Sequence, residues 1–413
     1  MLLNPGLTGD PNGGAPPVLI LGEGITALGV VRILARDNIP AYVVESSDPL
    51  LRRSRWFRRL PAEFEKNPNE ALADWLVRLP LTRAVLMPCS DNWVTQVAAL
   101  APALRERFPA SVPTRDTLLA FVDKGGFADL LSRSDTPHPF SKAVESRADL
   151  ETVPDAVFTS AMLKPRNSQD FIERFGVKAL HVHSRESAGE QLESIVDEGF
   201  HVILQEYIPG PAQHHYLVDG FIDRFGEVRA TLVRQRLRMY PFDFGNSTFM
   251  VTVDAGVGAA AVSSITRLLK DAGHRGMFSA EFKLDSRDSV FKLLEVNVRA
   301  WWYVEFAARC GVDVCRMAYE DALGRPVANV GSYAVGRRLV FPYNDYPACK
   351  ALWREGKLSA AEWARSWLGS IQPVFQFADP VPGVRSFVEL LGVFFKVRVR
   401  RLPVVAFLLS LLS

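Results

Sequence analysis

Short apolar runs and alternating apolar–polar stretches divide this chain into two successive patterns. The first opens with Val18-Leu19-Ile20-Leu21, an unbroken apolar run that predicts a strand buried on both faces. It leads into Gly22-Glu23-Gly24-Ile25-Thr26-Ala27-Leu28-Gly29 and a helical stretch to Ala35. A second strand is predicted at Ala41-Tyr42-Val43-Val44-Glu45, and a third at Ala84-Val85-Leu86-Met87, stopped by Pro88. Strands alternating with helices predict a doubly wound, Rossmann-like α/β unit. From Val122 the pattern becomes α+β, with helices expected at 127–132 and 186–198 and strands at 161–164 and 202–208, the latter halted by Pro209-Gly210. Alternation then predicts strands at 216–222, 228–238, 248–252, 279–284 and 291–299, with a helix at 259–272 among them.

Composition narrows the class. The 413 residues are 48% hydrophobic and 23% charged, which excludes collagen-like, coiled-coil and wholly disordered chains. With 48 basic against 46 acidic residues, no global positive field speaks for nucleic acid. Cys89, Cys310, Cys315 and Cys349 form no disulfide framework and no zinc spacing. Residues 1–17, rich in Pro, Gly and Asn, are expected to be a disordered lead-in without signal-peptide character. The run Arg52-Arg53-Ser54-Arg55-Trp56-Phe57-Arg58-Arg59 reads as a solvated loop anchored by two aromatics, or as an anion site.

The densest chemistry lies in Phe278-Ser279-Ala280-Glu281-Phe282-Lys283-Leu284 and Lys292-Leu293-Leu294-Glu295-Val296-Asn297-Val298-Arg299, joined by a polar hairpin loop. Alternate side chains on a strand share a face. Glu295, Asn297 and Arg299 therefore point one way, with Glu281 beside them, while Leu294, Val296 and Val298 turn into apolar packing. Two carboxylates and an amide oxygen are hard ligands suited to Mg²⁺, with nucleotide phosphates completing its shell; an ordinary exposed hairpin is the plain alternative. Lys164 ends a buried-looking strand, a placement suited to phosphate oxygens. Gln205-Glu206-Tyr207-Ile208 precedes Pro-Gly, so its strand end offers the C=O and N–H pair that an adenine edge needs. Gly22, Gly24 and Ala27, with Glu45 downstream, also fit a dinucleotide turn, which keeps an NAD-linked oxidoreductase as an alternative.

In this order and spacing the chain resembles the ATP-grasp superfamily, and within it the carboxylate–amine ligases. The resemblance runs from Val18 to Pro326 through Leu86-Met87-Pro88-Cys89-Ser90-Asp91, Phe121-Val122-Asp123-Lys124, Leu163-Lys164-Pro165, Gln205 to Gly210, Arg236 to Pro241, and the two strands bearing Glu281 and Glu295. It implies an α/β pre-ATP-grasp domain at 18–116, an α+β ATP-grasp domain at 117–330 and a helical extension at 331–413. Lys124 and Lys164 would hold nucleotide phosphates. The Glu206 carbonyl and Ile208 amide would meet adenine, with Gln205 and Tyr207 beside them. Glu281 and Glu295 would bind one Mg²⁺, and Glu295 and Asn297 a second, Mn²⁺ being an alternative metal. Arg299, with Arg236 or Arg238, would neutralise the γ-phosphate or a substrate carboxylate. The implied reaction joins small amino-acid-like carboxylates and amines through an acylphosphate, releasing ADP and phosphate, in an enzyme that could form a homo-oligomer; the composition and cysteine usage place it in the cytoplasm.

Three departures stand out. Asn297-Val298-Arg299 replaces the family's Asn-Pro-Arg, the phosphate-covering stretch 166–176 holds one glycine, and Gln213-His214-His215 replaces the expected acidic ribose ligand. Beyond Pro326, Trp353, Trp363 and Trp367 suggest helices, and residues 387–413 mix apolar side chains with Lys396, Arg398, Arg400 and Arg401. No run there reaches the ~18 residues of a membrane span. Such a tail packs on protein or makes peripheral contact with the inner membrane face, which leaves a non-catalytic, membrane-attached nucleotide-binding protein as a third reading.

Overall fold

The computed structural model describes residues 15–44, 47–165, 168–242 and 244–399. Most of the expected lead-in, the Glu45 of the dinucleotide reading and residues 400–413 of the tail lie outside them. The first sheet is parallel. Its central strand β1 (Val18–Leu21) lies between β2 (Ala41–Val43) and β3 (Val85–Pro88). Val18 and Ile20 face one core, shared with the helix Gly24–Arg36, while Leu19 and Leu21 face another containing Trp75, Leu76 and Phe108. That division explains the unbroken apolar run, since neither side of β1 meets water. Gly22 bends the chain out of β1 with a φ of +137°, and an added Cβ would lie 2.9 Å from the Cys89 Cβ. Close packing and left-handed backbone therefore account for glycine at this position without a dinucleotide.

The second sheet is antiparallel, in the order β4-β7-β5-β6, from β4 (Ser141–Val144), β5 (Ala161–Pro165), β6 (Leu180–Val182) and β7 (Val202–Glu206). Leu163 and Leu204 pack with Leu192 and Ile195 of the helix Arg185–Asp197. A helix spans Ser168–Phe175, in the stretch read as the phosphate-covering loop.

The third sheet has six strands, all antiparallel to their neighbours: β8 (His215–Ile222), β9 (Val228–Tyr240), β10 (Asn246–Thr252), β11 (Gly276–Leu284), β12 (Phe291–Asn297) and β13 (Arg338–Val340). Their order is β12-β11-β8-β9-β10-β13. Val218, Phe278, Ala280 and Phe282 bury one face against Ile265 and Leu268 of the helix Ala259–Asp271. On the other face Phe221, Leu232, Met250 and Met277 join the core beneath the parallel sheet. The N-terminal unit is thereby seated on the large sheet, and the end of β3 is carried to the mouth of the site. The helices Pro342–Arg354, Ala360–Trp367 and Pro380–Val399 follow.

Asp345, fully buried on the first of these, binds both Nε and Nη2 of Arg238 at 2.9 and 2.7 Å. It also accepts from Thr248 and Trp367, both at 2.7 Å. Asp379 plays a similar part for the N-terminal unit, accepting from buried Arg32 at 3.0 Å and from Ser54 at 2.7 Å.

Candidate functional site

The second and third sheets border a cleft of about 860 Å³. Lys124, Lys164, Gln205, Glu206, Tyr207, Ile208, Arg236, Glu281, Glu295, Asn297 and Arg299 all line it. Arg238 does not. It shares the alternating face of β9 with Arg234 and Arg236 but lies nearer the strand end, where Asp345 binds it from outside the cleft. Of the two arginines left open by the sequence, Arg236 is the one placed at the site.

The carboxylate side comes from β11 and β12, whose antiparallel register sets Glu281 opposite Glu295 and Ser279 opposite Asn297. The register then slips, so that Phe282 pairs with Leu293 and Leu294 has no partner. Such a bulge re-aims neighbouring side chains. Leu293, and not Leu294, enters the core, while Leu294 lines the cleft beside Glu295. The simple alternation read from sequence is corrected there, and Arg299 lies just past the end of β12, not within it.

Glu281 receives His215 Nδ1 at 2.8 Å and Arg236 Nη2 at 3.0 Å, both on Oε1. Among the described residues Oε2 has no hydrogen-bond partner, so one oxygen is available to a cation. Burial opposes ionisation of Glu281, but Arg236, His215 and Lys164 outweigh it and hold the carboxyl well below the usual range. Glu295 is pushed the other way, by its depth in the protein and then by the Glu281 charge, although cleft solvent reaches it. Two carboxylates with opposed shifts and an adjacent amide oxygen fit a hard divalent cation completed by phosphate oxygens. No cluster of three His, Cys, Asp or Glu that could hold a metal ion by itself occurs among the described residues.

The cationic side comes from the smaller sheet. Lys164, near the end of β5, donates to Gln205 Oε1 at 2.8 Å, and Gln205 in turn donates to Ser141 at 2.8 Å. Lys124 opens the helix Lys124–Ser132, capped by the Asp123 side chain, and donates to the Pro165 carbonyl. Burial, then the charge of Lys164, lowers Lys124 to about 8, and burial also lowers Lys164 despite Glu295 and Glu281. Crowded cations of this kind are relieved by an incoming polyanion. At the crossing between lobes Glu206 accepts from the Phe140 amide at 3.2 Å and from Arg287 at 2.5 Å. Phe127, Leu131, Met162 and Ile203 make the adjoining cleft wall apolar, as a flat base requires.

Several lining residues were not singled out as site residues from the sequence. Lys178 adds a third lysine, 3.2 Å from Asn246 Oδ1. Arg234 binds Asp219 through two hydrogen bonds of 2.7 and 3.1 Å and could have been found from the period-two spacing of Arg234, Arg236 and Arg238. Asp91, just after β3, forms a two-point pair with Arg299 at 2.8 and 3.1 Å. Its position at the carboxyl edge of a parallel sheet was the available signal. Lys178 offered none.

No family model matches the chain. It is 23% identical over 246 residues to the D-aspartate ligase of Enterococcus faecium (strain Aus0004), which covers 57% of this chain and 58% of that protein. The chain therefore spans under two thirds of that relative's length. Among solved structures it is similar to the L-amino acid ligase of Bacillus licheniformis, with a TM-score of 0.55, 17% identity and coverage of 75% of this chain and 74% of that one. N5-carboxyaminoimidazole synthetase of Staphylococcus aureus gives a TM-score of 0.60 at 12% identity, covering 82% and 86%. The biotin carboxylase domain of the Hydrogenobacter thermophilus 2-oxoglutarate carboxylase, solved with MgADP, ADP and bicarbonate, gives 0.59 at 14% identity, covering 78% and 73%. These likenesses agree with the resemblance carried by the sequence motifs: the chain has the ATP-grasp fold.

Proposed function

We propose that the protein is an ATP-dependent carboxylate–amine ligase that forms an amide through an acylphosphate and releases ADP and phosphate. The observation that carries this reading is the single cleft in which Lys124, Lys164 and Lys178 face Glu281, Glu295 and Asn297. Lysines on one lobe would hold the phosphates of ATP, with adenine against the Glu206–Ile208 crossing. Glu281, Glu295 and Asn297 would hold Mg²⁺, one ion or two, with Mn²⁺ as a substitute; the metal, when bound, neutralises phosphate charge. Lys164 and Arg236 steady the transferring phosphoryl group and the acid that receives it, so most of the rate gain is electrostatic and preorganised. The names of the D-aspartate ligase and the L-amino acid ligase support amino-acid-like substrates, and the pre-ATP-grasp unit would shape their pocket. The nicotinamide alternative has no support from these likenesses. The test is ADP release with ATP, Mg²⁺ and a pool of the twenty L-amino acids plus D-aspartate, with mass detection of the ligated product. Nucleotide turnover with no ligated product, or tight NAD(H) binding without ATP binding, overturns the reading.

Contact with an anionic membrane face through residues 387–413 belongs to the same proposal. Among the described residues no helix is long and apolar enough to cross a membrane. Phe377, Val381, Val384, Phe387 and Val388 are all more than half exposed or at half exposure along this end of the chain, an apolar surface that needs a cover. Sedimentation of the full chain with anionic vesicles at low salt, lost in a chain ending at Val384 that stays folded, is the expected result.

A further inference from the structure

The Arg299–Asp91 pair spans the seam between the N-terminal unit and the large sheet. Asp91 opens the helix Asp91–Ala98, whose cap is the preceding Ser90, so its carboxylate is not used as the cap and is left to the cleft. Arg299 follows Asn297 by two residues and donates through Nε and Nη2 to Asp91 and through Nη1 to the Ala300 carbonyl. The two sides of the pair differ in exposure: the Arg299 side chain is 17% exposed and that of Asp91 is 50% exposed. Trp302, 43% exposed, lines the same cleft.

The pair is therefore an exchangeable one. A phosphoryl group built up in the cleft is a stronger anion than a half-exposed carboxylate and competes for the guanidinium. Once Arg299 turns to it, Asp91 is a carboxylate at the cleft wall that has lost its cation. An ammonium group restores that balance, and the Trp302 indole adds a face suited to a cation.

Resting on the ligase reading above, we propose that Asp91 is the acceptor for the amine substrate: it binds a primary ammonium group after Arg299 has been drawn away, and takes a proton from it to leave the neutral amine that attacks. The step balances as R–NH₃⁺ plus R′CO–OPO₃²⁻ giving R′CO–NH–R, HPO₄²⁻ and H⁺. A C–N bond forms, the C–O bond to phosphate breaks, one ammonium proton passes to Asp91 and on to solvent, and a second leaves with the phosphate. The exchange also sets an order, because the amine site exists only after ATP and the acid have claimed Arg299. That order limits idle binding of amines to the empty enzyme.

The test compares two nucleophiles on the same acylphosphate in the full-length protein. Hydroxylamine is uncharged at neutral pH and needs no proton removed before it attacks, whereas an amino-acid amine does. In Asp91→Asn, amide formation by the acid–amine pair found in the product screen should fall about 100-fold, within the range of general-base effects. Hydroxamate formation from the same acid should fall no more than about threefold, and Asp91→Glu should recover part of the amide rate. Retained hydroxamate synthesis itself reports a folded enzyme with an intact nucleotide site. Equal losses with both nucleophiles, or amide formation that survives in Asp91→Asn, would overturn the assignment. If the unaltered protein makes neither amide nor hydroxamate with any acid, it is the ligase reading that falls.

Discussion

Two arginine–carboxylate pairs of the same chemistry sit at opposite ends of the large sheet. Arg238–Asp345 is sealed, with side-chain exposures of 9% and 0%, and its carboxylate also takes hydrogen bonds from Thr248 and Trp367. Arg299–Asp91 faces the cleft and has neither that burial nor those extra donors. The first cannot exchange partners without exposing a charge to a dry interior, so it fixes the C-terminal helices on β9. The second can exchange at little cost, so it is free to respond to ligand. Burial, not the identity of the pair, separates a fastener from a working part.

Breaking the sealed pair should have the largest effect. Asp345→Ala leaves the Arg238 guanidinium buried without its carboxylate and should cost about 3–5 kcal/mol of stability by urea unfolding. A loss under about 1 kcal/mol would show that water enters and that the two regions do not differ. Next comes Glu295→Gln, which should lower ADP release at least 100-fold with an unchanged melting temperature; more than about a tenth of the activity remaining would sink its metal role.

Acid probes the dry interior a second way. His274 is fully buried between Phe121 and Phe278, and burial drops its pKa to about 4. The unfolded chain takes up the proton near pH 6.5, so this contribution is complete above that value and is lost as the pH falls toward 4. The loss approaches about 3 kcal/mol at the low end. A His274→Phe variant should flatten this part of the stability profile, and an identical slope in both proteins would refute it. Smaller still, Arg299→Ala should change stability by under about 1 kcal/mol, as expected for an exposed pair, while lowering activity. Finally, Lys164→Ala should lower kcat and Lys124→Ala chiefly raise the KM for ATP; matching KM-only effects would show that neither lysine acts on the transition state.

The same contrast explains what could be read from the sequence. Val18 to Leu21, the alternation of β11 and β12, and Lys164 at a strand end are local patterns, and a buried strand or a polar face leaves its period in the sequence. The Leu294 bulge leaves no mark, since both Leu293 and Leu294 fit an apolar position and only the pairing with Phe282 decides between them. Arg238 and Asp345 are separated by 107 residues, so the partner that draws Arg238 from the cleft is fixed by tertiary packing alone. Lys178 was equally hidden, because its place in the cleft depends on how β6 pairs with β5.

Arg32 gives the chain a temporal constraint. Its guanidinium donates to the carbonyls of Pro373, Val374 and Asp379 and to the Asp379 carboxylate, all at least 341 residues downstream. During synthesis, at roughly 5–20 residues per second, the helix that carries Arg32 emerges well ahead of these acceptors. Until residue 379 has left the ribosome, that side chain must remain hydrated, and the core that closes over it must remain ajar. The unit that carries Arg32, made well before its partners, is thus among the last to reach its final packing, and a nascent chain halted before residue 373 should display that unit open to protease.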